Sequence, residues 1–81
     1  MNIYLKLLLE ELLGKFVKHY KINLNTEDVL ITIVPRPNSF DFVCKSTKNN
    51  YDATYIFPNE EHEDMKAETF RFHLGEWSNE A

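Results

Sequence analysis

The side chains with the widest chemical repertoire in this chain are one cysteine, Cys44, three histidines, and a dense run of carboxylates. That run is PNEEHEDMKAE, Pro58 to Glu68, where five of eleven residues are Asp or Glu and His62 sits among Glu60, Glu61, Glu63 and Asp64. A calcium loop needs oxygen ligands at fixed spacing and a glycine that permits the turn. The run has neither that alternation nor a glycine. Zinc needs Cys or His in paired spacing, and Cys44, His62 and His73 stand singly. The sequence therefore predicts no metal site and no cofactor, leaving His62 and Cys44 without an assigned role.

Cys44 with a histidine is nominally a nucleophile and a base. Cys44, however, falls on the inner side of its strand, where a thiol acts as a small hydrophobe. Asp41 and Asp52 could approach across a hairpin, but two carboxylates on an exposed strand face are ordinarily solvated. No glycine-rich phosphate loop is possible with only Gly14 and Gly75. These features predict a non-enzyme. Phe40, Phe42, Tyr51, Tyr55, Phe70 and Phe72 could stack bases as in RNA-binding sheets, but their shared side is the one expected to face a helix. Trp77, in GEWSNEA, either folds back over the core edge or stands out as an interface anchor.

Residues 2–20 read as one amphipathic helix. At 100° per residue, Leu5, Leu9, Leu12, Leu13, Phe16 and Tyr20 share a face, while Ile3, Tyr4 and Leu7 lie off it. The period then changes to two. Strands are expected at about 28–34, 40–46, 51–57 and 67–74, with an acidic loop at 58–66 and a tail at 75–81. The fold class is α+β: one N-terminal amphipathic helix packed on a four-stranded antiparallel β-meander, in a single domain over 1–81. One helix covers one sheet face. The other face should carry Leu30, Thr32, Val34, Asp41, Val43, Lys45, Asp52, Thr54, Ile56, Arg71 and His73. Its aliphatic members, Leu30, Val34, Val43 and Ile56, are either scattered surface hydrophobes or a contact for a partner or a second copy.

At 81 residues there is room for one core. The longest aliphatic run, Leu7-Leu8-Leu9, is too short for a secretory leader or a membrane span, so a cytoplasmic protein away from membranes is expected. Net charge is −4 and unevenly placed. Residues 1–57 hold seven Lys/Arg against six Asp/Glu, and residues 58–81 hold two against seven, giving +1 and −5. Such a chain lacks the basic surface that direct nucleic-acid binding uses. Glu60, Glu61, Glu63, Asp64 and Glu68 could instead steer a basic protein partner. The resulting expectation is a small acidic interaction domain, of the kind phages and mobile elements use to inhibit or modulate a basic nucleic-acid-handling protein. In that reading the acidic patch steers, while Trp77 and the open sheet face anchor. The alternatives are a homodimeric accessory subunit paired through the open face and an acidic immunity protein against a toxin.

Overall fold

The computed structural model describes residues 2–58 and 66–80. Helix α1 spans Ile3–Tyr20 and is followed by strands β1 (Val29–Pro35), β2 (Ser39–Ser46), β3 (Asp52–Pro58), β4 (Glu68–His73) and β5 (Glu76–Glu80). Asn2 caps the helix by accepting a 2.8 Å hydrogen bond from the Leu5 amide, satisfying a donor that has no intrahelical partner. At the other end Lys21 adopts a left-handed conformation, φ 54°. This turn reverses the chain so that Ile22 is buried against the core. Gly14 permits no close approach: a Cβ built there meets nothing within 4 Å.

Among the described residues the sheet is antiparallel and has five strands in the order β3-β2-β1-β4-β5. The expected four-stranded meander is corrected in two respects. First, β4 pairs with β1 instead of following β3. Three hairpin-connected strands and a fourth returning beside the first make a Greek key. The aliphatic β1 thus lies at the centre, hydrogen-bonded on both sides. Second, residues 76–80, expected as tail, form β5 against β4. The joining turn is Leu74-Gly75, with φ of 44° and 87°. Positive φ at both central residues is the geometry of the tight hairpin turn whose twist matches the flanking strands. Leu74, expected as the last residue of the 67–74 strand, therefore lies in the turn and is 63% exposed.

Leu9, Leu12, Leu13 and Phe16 of α1 form one core with Val29, Ile31, Ile33, Phe40, Phe42, Cys44 and Phe70. Period two in the strands and 3.6 in the helix bring these residues to a shared interface. Removing their apolar surface from water is the chief stabilising contribution. The strand aromatics are used there: Phe40–Phe42 and Phe42–Phe57 meet edge to face at 6.2 and 5.3 Å. No described helix is long and apolar enough to cross a membrane.

Candidate interaction surface

The face of the sheet away from α1 carries the residues expected there, and the strand register fixes their neighbours. Val43 pairs with Thr32 on β1 and Thr54 on β3. Its diagonal neighbours on the same face are therefore Leu30 and Val34 on one side and Ile56 on the other. Diagonal pairs lie roughly 7–8 Å apart, within reach of long side chains such as Leu30 and Ile56. The four aliphatic residues thus form one patch centred on Val43. Ile56, on the outermost strand, is 67% exposed, while the others are half-buried.

Asp41 lies in the same patch, opposite Val34 on β1 and Ile56 on β3. It is only 6% exposed. One carboxylate oxygen, Oδ2, accepts a 2.8 Å charge-assisted hydrogen bond from Arg36 Nε. The other, Oδ1, is buried without a hydrogen-bond partner among the described residues. Asp52, by contrast, faces Lys45. Asp41 and Asp52 therefore do not approach each other across the hairpin. Asp41 and Lys45, the β2 residue opposite Asp52, are four residues apart, which is about 13 Å at strand rise.

A charged network closes the β1–β4–β5 end of the face. Arg71 on β4 donates to Asp28 Oδ2 at 2.8 Å and to Glu80 on β5. His73 Nδ1 lies 2.7 Å from Asp28 Oδ1. The hydrogen bond from His73, then that from Arg71, holds the Asp28 carboxyl below its ordinary value. Glu80 and, second, Asp28 hold the Arg71 guanidinium above its own. Between network and patch, the Thr32 and Thr69 hydroxyls are hydrogen-bonded at 3.0 Å. Alternation placed Arg71 and His73 on this face. Their partners could not be read, because Asp28 and Glu80 come to them only through the β1–β4 and β4–β5 pairings.

Among the residues expected to bind a partner, Leu30, Val34, Val43 and Ile56 come together. Trp77 lies on the opposite, helix-covered face, where its ring meets Phe72 edge to face at 5.0 Å. Its Nε1 is buried without a partner among the described residues. It borders an open cleft of about 370 Å³ lined also by Lys6, Glu10, Gly75 and Glu76. Glu68 lies on the helix-covered side of β4, opposite Ile33. Glu60, Glu61, Glu63 and Asp64, together with His62, lie outside the described residues.

Cys44 is fully buried, and burial pushes its thiol up to about 12, so it stays protonated near neutrality. Among the described residues no group of three His, Cys, Asp or Glu side chains converges as metal ligands would. Comparison with protein-family models, curated proteins and solved structures finds no match to this chain.

Proposed function

We propose that this chain is a small non-enzymatic interaction domain that docks through its open sheet face on a basic protein in the cytoplasm. Its action would be to inhibit or modulate a protein that handles nucleic acid. The reading is carried by one observation: the aliphatic patch around Val43 is set in a face with more acid than base. By strand register and ion pairing, Asp28, Asp41, Asp52, Glu76 and Glu80 stand there against Arg36, Lys45 and Arg71. Arg36 is bonded to Asp41, and Arg71 to Asp28 and Glu80, so the excess is two carboxylates, five against three bases. An apolar centre supplies burial, and the surrounding charge steers and selects the partner. Glu60, Glu61, Glu63 and Asp64 add four negative charges to the chain. A domain of this character blocks a nucleic-acid groove by occupying it. An immunity protein that masks a basic toxin would use the same physics.

The test is affinity capture from extracts of the source organism with three baits: the natural chain, Val43→Asp, and a chain carrying Glu60→Gln, Glu61→Gln, Glu63→Gln and Asp64→Asn. The natural chain is expected to capture a basic nucleic-acid-handling protein, with affinity falling as salt rises. Val43→Asp should abolish capture, and the neutralised chain should weaken it. Equal capture by all three baits, or affinity indifferent to salt, overturns the reading.

A further inference from the structure

The two edges of the sheet differ in a way that identifies an occupant for one of them. In the β2–β3 ladder, Ser46 donates its amide to the Tyr51 carbonyl at 3.1 Å, so these opposed residues form a hydrogen-bonded pair. Such pairs alternate along an antiparallel ladder. In the observed register the next are Cys44/Ala53, Phe42/Tyr55 and Phe40/Phe57. The amides and carbonyls of Asp52, Thr54, Ile56 and Pro58 therefore point away from β2, along the outer edge of the sheet. One of them is satisfied within the chain: the Asp52 carbonyl accepts a 2.7 Å hydrogen bond from the Tyr20 hydroxyl. Pro58 has no N–H to offer. Thr54 and Ile56 keep both donor and acceptor, and neither outward group finds a partner among the described residues.

We infer that β3 pairs with β3 of a second copy of this chain, antiparallel about a two-fold axis at Tyr55. That register opposes Thr54 to Ile56 of the other copy, and each pair exchanges both of its hydrogen bonds. It also opposes Asp52 to Pro58 of the other copy, so the Asp52 amide meets the Pro58 carbonyl. The two groups that cannot form a bond, the occupied Asp52 carbonyl and the missing Pro58 N–H, then face each other. Every remaining outward group is used. The side chains agree. Thr54 meets Ile56, Ala53 meets Phe57, the two Tyr55 rings meet at the axis, and no like charges are opposed. β5 would not pair in this manner: a two-fold axis at Ser78 sets Glu76 against Glu80 of the other copy, a repulsive arrangement. One edge is thus guarded by charge, and the other is self-complementary. The product is a continuous ten-stranded sheet with both helices on the same side.

The experiment is sedimentation equilibrium of the full chain over a wide concentration range, beside Thr54→Pro and Ile56→Lys. Proline at position 54 removes only an outward amide, so the β2–β3 ladder is kept. Lysine at position 56 places charge on the edge. The natural chain is expected at twice its 9.6 kDa mass, and both variants at the monomer mass with unchanged circular dichroism. Amide exchange of the natural chain gives a second readout that requires no variant. Thr54 and Ile56 amides should be protected at high concentration and lose protection on dilution. A natural chain that stays monomeric, a dimer retained in both variants, or Thr54 and Ile56 amides unprotected in the dimer overturns the inference.

Discussion

The two faces of one sheet were built by the same alternation and came to opposite ends. Beneath α1, alternate positions carry Phe, Ile, Val and Cys and interlock into a core from which water is excluded. On the reverse, the same strands carry Thr, charged residues and a small aliphatic centre around Val43. The covered face holds the fold together, and among the described residues no element packs on the reverse. Mutations separate these roles. Phe16, fully buried at the centre of the helix contact, should cost about 3–5 kcal/mol on change to Ala. A chain of this length has a total stability of roughly 4–12 kcal/mol, so urea titration should find Phe16→Ala at or near the limit of folding. A loss below about 1 kcal/mol would mean that the helix is not the cover that holds the core.

Cys44 sharpens the contrast without any mutation. Its thiol should react with iodoacetamide only when the covered face opens, which through global opening is at least about a thousandfold slower than in the unfolded chain. The raised folded value favours the protonated thiol. Its contribution is therefore fully present below the unfolded thiol value, and is lost as pH rises from there towards about 12. Stability measured by denaturant should fall across that alkaline range, and Cys44→Ala should remove this part of the fall.

A smaller effect lies on the helix surface. Gly14→Ala should stabilise the protein by about 1 kcal/mol, because the added methyl meets nothing and helix propensity improves. A destabilisation there would reveal a contact on the outer side of the helix. On the open face, the Asp28 carboxyl should titrate below its ordinary range by NMR. His73→Gln and Arg71→Gln should each raise it, His73→Gln more. Because its folded value is depressed, the stability it contributes is present above the unfolded value and lost as pH falls through the folded one. The smallest effect belongs to Ile56→Ala, which should change stability by less than about 0.5 kcal/mol. A loss as large as that at Phe16 would erase the distinction between the two faces.

Much of this division was legible in the residues. Leucine spacing from Leu5 to Leu13 identified the helix and its buried side. Alternation in FDFVCKS and YDATYIF assigned Phe42 and Cys44 inward, and Val43 and Ile56 outward. What could not be read was anything depending on which strands are neighbours. β1 has no local mark showing that β4 will pair with it, so the Asp28–Arg71–Glu80 network remained hidden. β5 escaped because Leu74-Gly75 lacks the Asn or Asp that usually announces a tight hairpin turn. The five residues of β5 are also mostly polar. The outward groups of Thr54 and Ile56, unpaired among the described residues, became visible only once β3 was known to be an edge.

The central position of β1 has a further consequence for the order in which the sheet is assembled. β2 follows β1 after only three residues, whereas β4 begins only after thirty-two, past β2 and β3. Until that length folds back, one side of a nearly all-aliphatic strand has no native partner. A refolding chain without β4 in place would thus display the most adhesive segment of the protein, and is the species most prone to aggregate. Arrival of the last hairpin converts that transient template into the interior of the sheet.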